Sequence, residues 1–233
     1  MPIELVCLDA DDTLWHNMRH FESAERALFD LLAPFAEAGV SRAALDAAES
    51  RNLRLYGYGA KGFTLSMIEA AVELVGPALT ADTVGGILRI GRDLLAHPVE
   101  LLPGVDAALD ALSGRARLVL VTKGDLLHQE TKLAASGLGG RFAGVEIVSD
   151  KTAATYARVF HAHGAAPERA AMAGDSLRSD VLPALAAGAW AAHVPHGIAW
   201  SHERAEEPDH PRYRRLAALA DLPGWIDAIG RAP

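Results

Sequence analysis

Cysteine, aromatic residues and clustered basic residues are scarce in this chain of 233 residues. The single cysteine, Cys7, excludes a disulfide framework and a zinc site built on several cysteines. The net charge is −8, from 22 Lys and Arg against 30 Asp and Glu, and the basic residues form no run. A nucleic acid would meet a repelling background on this protein, so we expect no nucleic-acid partner.

Long apolar runs are absent as well. The most apolar later stretch, 181–194, contains Pro183, Gly188 and His193 and falls short of the roughly 18–20 residues that a membrane span requires. The N-terminus enters its first apolar run without a basic region or a cleavage site. We therefore expect no membrane partner and a cytoplasmic protein.

Half of the residues are apolar, which is enough for one substantial core. Short apolar runs predict buried strands at 3–8, 117–122, 144–148, 169–173 and 190–194. Segments with helical periodicity separate them, at 105–112, 126–136, 152–164 and 179–187. This alternation predicts a parallel sheet with helices on both faces, an α/β fold.

The segment 17–97 has a different pattern, with four amphipathic helices and no convincing strand. The helices are predicted at 21–38, 41–55, 64–75 and 80–95. Ser41 and Thr80 are candidate N-caps, and Gly39, Gly57 and Gly76 are candidate helix ends. A helical block between the first two strands indicates an inserted domain, so 1–16 and 98–233 form the α/β core domain.

The C-terminal part of the core has a less regular pattern. Residues 195–215 are rich in proline, histidine and charge, and we interpret them as a long surface loop. A short helix is predicted after it, at 222–229.

Polar residues follow the predicted strands at their carboxyl ends, where open α/β sheets place ligand sites. They are Asp9-Ala10-Asp11-Asp12-Thr13, then Thr122, then Lys151, then Gly174-Asp175 with Asp180. Three carboxylates in one crevice repel one another, and each raises the pKa of the others. A hard divalent cation relieves that repulsion, and oxygen-only ligands indicate Mg²⁺ rather than zinc.

Such an ion leaves one carboxylate free for nucleophilic attack. Aspartate forms aspartyl-phosphate intermediates in covalent catalysis, and phosphoryl transfer needs an in-line nucleophile and neutralised charge on the phosphoryl oxygens. Lys151 and the ion supply that charge. The Thr122 hydroxyl and the amides of a strand-to-helix turn supply hydrogen bonds.

Four motifs in this order resemble those of the haloacid dehalogenase-like (HAD) superfamily of aspartate-nucleophile hydrolases, over essentially the whole chain. The DxDxT motif is matched by residues 9–13, the Ser/Thr of the second motif by Thr122, the Lys of the third by Lys151, and GDxxxxD by residues 174–180. The resemblance implies a Rossmann-like α/β core, and it makes the helical block at 17–97 a type 1 cap domain.

The resemblance also implies roles for the four acidic residues. Asp9 is the expected nucleophile, with its other carboxylate oxygen on Mg²⁺. Asp11 is expected to protonate the leaving alkoxide and then to activate the hydrolytic water, and its backbone carbonyl binds the ion. Asp175 is the third expected metal ligand. Asp180 is expected to support the direct ligands from behind or to reach the ion through a water, and direct binding by Asp180 is left open.

The remaining candidates concern the substrate. The resemblance implies that Thr122 and Lys151 hold the phosphoryl oxygens. Lys123 and Gly124, which follow Thr122 directly, are further candidate substrate-binding residues, and Lys123 either adds a positive charge to the phosphate site or points to solvent. Lysine is scarce, with four residues in the chain. Lys61 is one of them and lies in a glycine-rich stretch, 56–62, that either reaches the substrate or only connects two helices.

The expected function is Mg²⁺-dependent hydrolysis of a small phosphorylated metabolite, a phosphomonoester, through an aspartyl-phosphate. A phosphomutase shares all four motifs and is the first alternative. A 2-haloacid dehalogenase is less expected, because family members with that activity typically lack an Asp two residues after the nucleophile, where this chain has Asp11. An enzyme that cleaves phosphonates needs a lysine in the cap, and Lys61 is the residue that keeps this alternative open. A non-catalytic binding protein has no reason to keep both Asp9 and Asp11.

Overall fold

A computed structural model describes residues 2–197, 200, 203 and 205–231. These residues form two compact units. The first contains the residues up to Met18, Val99–Lys123 and the residues from Gln129 onward; the second contains Arg19–Pro98 and Gly124–His128. The second unit therefore includes a short segment, 124–128, that lies outside the predicted insertion at 17–97.

Strands and helices alternate in the first unit. The strands are β1 (Leu5–Leu8), β2 (Arg117–Lys123), β3 (Gly144–Val148), β4 (Ala170–Gly174), β5 (Trp190–His193) and β6 (Tyr213–Arg215). In chain order, the described helices are α1 (Met18–Leu32), α2 (Ala38–Tyr56), α3 (Ala60–Val75), α4 (Ala81–Leu95), α5 (Val105–Ser113), α6 (Leu126–Ser136), α7 (Ala153–Ala162), α8 (Leu182–Ala186) and α9 (Leu222–Arg231). None of the described helices combines the length and apolarity needed to cross a membrane.

The six strands among the described residues pair in parallel, in the order β3-β2-β1-β4-β5-β6. This arrangement confirms the predicted α/β fold. The prediction of a long loop over 195–215 was wrong at its end, where β6 adds an edge strand beside β5. Residues 198, 199, 201, 202 and 204 of that predicted loop lie outside the described residues. A turn of π-helix, Leu177–Val181, precedes α8.

Apolar cores cover both faces of the sheet, because side chains alternate along each strand. Val6 and Leu8 of β1 belong to a cluster with residues of α5 and α9. Leu5 and Cys7 point the other way and pack in a cluster with Tyr156 of α7. Strand β1 is buried on both faces, as its continuous apolar sequence predicts.

Helices α1 to α4, apart from Met18, lie in the second unit. Each contributes at least one fully buried side chain to its core, among them Leu28, Leu45, Met67 and Ile87. Thr80 caps α4 as predicted, because its hydroxyl accepts the Thr83 N–H at 3.2 Å.

The predicted boundary between the first two helices was wrong. Helix α1 ends at Leu32, and Pro34 follows, which has no N–H and cannot continue a helix. Helix α2 then begins at Ala38, so Gly39 and Ser41 lie inside it rather than at its start. Glu37 occupies the N-cap position without a side-chain hydrogen bond.

One acidic residue of the second unit makes stability depend on pH. Burial raises the pKa of Glu49 to about 8, and the charges of Glu25 and Asp46 raise it further. The folded state therefore holds a proton that the unfolded state releases, and stability falls as pH rises from about 4.5 to about 8. We expect Glu49→Gln to raise the thermal midpoint by a few degrees at pH 8.5 and to change it little at pH 4, measured by calorimetry. Glu37→Gln, at an exposed position, is the matched control, and an equal shift at both pH values would contradict the charge argument.

Candidate active site

The strand order places the four predicted motifs along one edge of the sheet. Strand β1 lies between β2 and β4, and β3 lies beyond β2. Because all strands run parallel, the residues that follow them meet at their carboxyl ends. The Asp9 N–H donates to the carbonyl of Ala173 at 3.0 Å, which ties the end of β1 to the end of β4.

The loop after β1 is fixed by its own side chains. Asp12 has a φ of 59°, a left-handed conformation that Asp tolerates better than most residues. Its carboxylate accepts the N–H groups of Asn17 and Met18, each at 2.9 Å. Thr13 donates its hydroxyl to Asp9 at 3.3 Å and accepts the Asp175 N–H at 3.0 Å. The DxDxT sequence therefore holds its own loop in place and links it to the fourth motif.

Lys151 lies between two carboxylates in a buried position. Its ammonium contacts Asp9 Oδ1 and donates to Asp180 Oδ1 at 2.7 Å, and the residue is 5% exposed. The Tyr156 hydroxyl donates to the same Asp180 oxygen at 3.4 Å. Gly174 makes room for Asp180, because a Cβ at that position would lie 2.1 Å from Asp180 Oδ2. The glycine of GDxxxxD is thus a packing requirement.

Three carboxylates lie close enough together to hold a cation, those of Asp9, Asp175 and Asp180. We call these three residues the acidic set. Each offers a carboxylate oxygen, and these oxygens lie within 4.8 Å of one another. Burial raises the pKa of Asp9 to about 7, and the charge of Asp180 adds to this while Lys151 opposes it. Burial and the charges of Asp9 and Asp180 raise the pKa of Asp175 well above its usual range. Buried, mutually repelling carboxylate oxygens fit a hard divalent ion such as Mg²⁺.

This acidic set leads to a prediction about Mg²⁺ and Asp175. We expect Mg²⁺ at about 100 times its Kd to raise the thermal midpoint of the wild-type protein by roughly 5–10 °C. Asp175→Asn should lose most of that rise, because one anionic ligand is gone. In EDTA at pH 8 the variant should be no less stable than wild type, since it removes a buried charge. Thermal scans with Mg²⁺ and with EDTA measure both effects. Asp209→Asn, on the exposed surface, is the control, and full stabilisation of Asp175→Asn by Mg²⁺ would remove Asp175 from the ligand set.

The side chains of the last two residues of β2 face inward. Thr122 is 2% exposed, and its hydroxyl accepts from Gln129 Nε2 at 3.1 Å. The Lys123 ammonium donates to Ser179 Oγ and to Glu203 Oε1, each at 2.7 Å. Lys123 therefore has protein partners here, where the sequence indicated a phosphate or solvent. Gly124 has a φ of 125° at the turn into α6, a conformation that favours glycine.

Lys61 pairs with an aspartate inside the second unit. Its backbone N–H donates to Asp125 Oδ2 at 3.0 Å, and its ammonium lies 3.7 Å from Asp125 Oδ1. The Lys61 side chain is 54% exposed. Gly59 has a φ of 120°, and a Cβ there would lie 2.7 Å from Asp125 Oδ2. The glycine-rich stretch is thus packed around Asp125.

Asp11 has three side-chain donors that the sequence analysis missed. Trp15 Nε1 and Lys132 Nζ donate to its Oδ1 at 2.7 and 2.5 Å, and Gln129 Nε2 donates to its Oδ2 at 2.8 Å. We call Trp15, Gln129 and Lys132 the Asp11 clamp. Burial raises the pKa of Asp11, but the Lys132 charge and the hydrogen bonds of the clamp outweigh it, so the pKa lies below its usual value.

A signal for the clamp is present in the sequence. Gln129 and Lys132 are three residues apart in the helix that follows Thr122, so they share one helix face. Lys132 is also one of only four lysines in the chain.

Comparison with known proteins identifies the family to which this chain is similar. The model of the haloacid dehalogenase-like hydrolases matches residues 3–188. A haloacid dehalogenase-like family hydrolase from Xanthomonas campestris is 41% identical, with a TM-score of 0.89 over 98% of this chain and 92% of that one. No curated protein matches the chain significantly.

More distant structures share the fold. The HAD-hydrolase YfnB from Bacillus subtilis, solved bound to magnesium, is 18% identical with a TM-score of 0.70, over 97% of this chain and all of that one. A 2-haloacid dehalogenase from Pseudomonas syringae pv. Tomato is 22% identical with a TM-score of 0.61, over 97% of this chain and 98% of that one. Given the family match over most of its length and the relative at 41% identity, this chain belongs to the haloacid dehalogenase-like hydrolases.

Proposed function

We propose that this hydrolase cleaves a small phosphorylated metabolite, a phosphomonoester, with the help of Mg²⁺. The observation that carries the proposal is the combination of two acidic elements in one site. Asp9 belongs to an acidic set with the half-buried Asp175 and the buried Asp180, and a second carboxylate, Asp11, follows Asp9 two residues later. The first element suits a metal-assisted attack on phosphorus, and the second suits proton transfer.

In the first half of the reaction, an oxygen of Asp9 attacks phosphorus and the ester P–O bond breaks. Lys151 holds the Asp9 carboxylate from one side and keeps an ammonium beside the incoming phosphoryl group. The leaving alkoxide takes a proton from Asp11, so this step runs through the protonated form of Asp11, although the Asp11 clamp favours the ionised form. Mg²⁺, held by Asp9, Asp175 and Asp180, would neutralise negative charge on the phosphoryl group. YfnB, which shares the fold, was solved bound to magnesium, and this supports the use of that ion.

The second half returns the enzyme to its starting state. Asp11, now ionised, takes a proton from a water molecule, and the oxygen of that water attacks the phosphorus of the aspartyl-phosphate. The bond between phosphorus and Asp9 breaks, and inorganic phosphate leaves. One ester and one water thus give one alcohol and one phosphate, with the proton returned to Asp11.

The displacement of a halide from carbon needs fewer of these residues than phosphate ester hydrolysis does. A halide leaves as a stable anion, so the reaction needs no proton donor at the position of Asp11. The halide reaction also involves no phosphoryl group, so there is no negative charge on phosphoryl oxygens for a divalent ion to neutralise. The acidic set and Asp11 together therefore favour the phosphatase, although a dehalogenase shares the fold.

The direct test supplies both kinds of substrate to the same preparation. Inorganic phosphate is measured from sugar phosphates, nucleoside monophosphates and phosphoglycolate, and halide is measured from 2-chloropropionate, each with Mg²⁺ and with EDTA. We expect phosphate release that requires Mg²⁺, and no halide release. Halide release that persists in EDTA, without phosphate release, would establish the dehalogenase instead.

A further inference from the structure

We propose that Lys132 and Gln129 of α6, with Trp15, are positioning residues that fix the Asp11 carboxylate for proton transfer to the leaving group. The inference rests on the proposed phosphatase activity and extends it. It assigns to the Asp11 clamp a role in the reaction beyond packing.

Lys132 is a buried charge directed at a single carboxylate. It is 3% exposed, its ammonium lies 2.5 Å from Asp11 Oδ1, and it donates to Asn17 Oδ1 at 3.1 Å. Asn17 itself donates its N–H to the Asp12 carboxylate. Lys132 therefore holds the loop after β1 at two places. A buried ion pair often stabilises a fold no more than apolar residues of similar volume would. The contact between the Lys132 ammonium and Asp11 is therefore better explained by the positioning of the Asp11 carboxylate.

Gln129 connects Asp11 to the second motif. Its Nε2 donates to Asp11 Oδ2 at 2.8 Å and lies 3.1 Å from Thr122 Oγ1. The same nitrogen is 2.5 Å from the carbonyl of Lys123. One amide group thus sets Asp11 relative to the end of β2, where a phosphoryl oxygen is expected.

The clamp occupies both oxygens of the Asp11 carboxylate. Oδ1 accepts from Trp15 and Lys132, and Oδ2 accepts from Gln129. Two donors on one oxygen and one on the other leave the carboxylate little freedom to rotate. Proton transfer needs such order, because a misplacement of about 1 Å can cost on the order of 100-fold in rate.

This role predicts a dependence on the leaving group. An alkoxide needs a proton as the ester bond breaks, whereas 2,4-dinitrophenolate leaves without one. Since kcat/KM reports the steps up to the first irreversible one, the loss of a positioning residue for the acid should appear in kcat/KM for alkyl phosphates only.

The experiment compares wild type with Lys132→Met, which keeps the length of the side chain and removes its charge. We expect kcat/KM for the best alkyl phosphomonoester of the panel to fall by about 10–100-fold. For 2,4-dinitrophenyl phosphate it should change by less than about threefold. Glu130→Gln, exposed on the same helix, should leave both values unchanged. An equal loss on both substrates would overturn the inference and indicate a structural role.

A double variant tests whether Lys132 acts through Asp11. With Asp11 already changed to Asn, Lys132→Met should add little further loss on the alkyl ester, because the group that it positions is gone. Losses that multiply would overturn the inference. A crystal structure of Lys132→Met should show the Asp11 carboxylate in a different or mixed rotamer, and an unchanged, single rotamer would count against the proposal.

Two further arms keep the test decisive. If Lys132→Met does not fold, Gln129→Met should give the same difference between the two esters, and its absence would overturn the inference. Wild-type protein that hydrolyses neither ester would overturn the proposed phosphatase activity, and the inference with it. Wild-type protein that hydrolyses both, with no such difference in the variants, would overturn the inference alone.

Discussion

Asp9→Asn is expected to reduce phosphate release by about 10⁴-fold or more while the protein stays folded. Loss of a covalent nucleophile has an effect of this size in other hydrolases. The amide of Asn is close to the carboxylate in shape, but it does not attack phosphorus to form the acyl-phosphate. The Asn side-chain oxygen can still accept from the Lys151 ammonium, which now contacts Asp9 Oδ1.

The same substitution should not destabilise the metal-free protein. Burial raises the pKa of Asp9 to about 7, so at pH 8 the folded state has to keep an unfavourable buried charge that Asn removes. Thermal scans in EDTA at pH 8 should therefore give a midpoint at or above that of wild type. Steady-state phosphate release with Mg²⁺ measures the activity, and Asp209→Asn serves as control in both assays. Activity within tenfold of wild type would show that Asp9 is not the nucleophile.

The sheet could largely be predicted because its central strands carry a continuous apolar sequence. Strand β1 is buried on both faces. A short, continuous apolar run is typical of such a strand in a parallel sheet. Strand β6 was missed because it is a three-residue strand beside β5 at the edge of the described sheet, and its two arginines are exposed. An exposed edge strand lacks the apolar pattern on which the prediction depends.

The start of α4 was predictable because a side chain makes its cap. Thr80 accepts the N–H of Thr83, and α4 begins where the sequence places it. Helix α2 begins after Glu37, whose side chain makes no cap hydrogen bond. Its start is set by the end of α1 and by Pro34, so Ser41 was a misleading signal.

Which charged residues meet could be predicted where the sheet topology brings them together, and not where helix and loop packing does. Asp9, Asp175 and Lys151 each come directly after, or shortly after, a strand of one parallel sheet, so their meeting follows from topology. The partners of Asp11 and Lys123 do not, because they depend on how a helix and a loop pack. Lys132 is 121 residues from Asp11, and Glu203 is 80 residues from Lys123. No local pattern encodes which carboxylate a buried lysine will face.

Lys151→Met is expected to destabilise the metal-free protein by about 3 kcal/mol or more at pH 8. The Lys151 ammonium lies between Asp9 and Asp180, and breaking a buried ion pair from one side leaves charge without compensation. Lys61→Met removes a lysine from an ion pair whose lysine side chain is 54% exposed, so it should change stability by no more than about 1 kcal/mol. Chemical denaturation of both variants in EDTA measures the difference.

The charge argument for Lys151 also fixes how the loss depends on pH and on Mg²⁺. Without the ammonium, the carboxylates of the acidic set can relieve their repulsion by taking up protons, so the destabilisation should be smaller at pH 5 than at pH 8. Mg²⁺ supplies positive charge to the folded state alone and should restore part of the stability at pH 8. It should not restore turnover, which we expect to fall by about 10²–10³-fold because an ammonium beside the phosphoryl group is lost. A loss of stability that is the same at both pH values and insensitive to Mg²⁺ would mean that Lys151 matters for its packing volume and not for its charge.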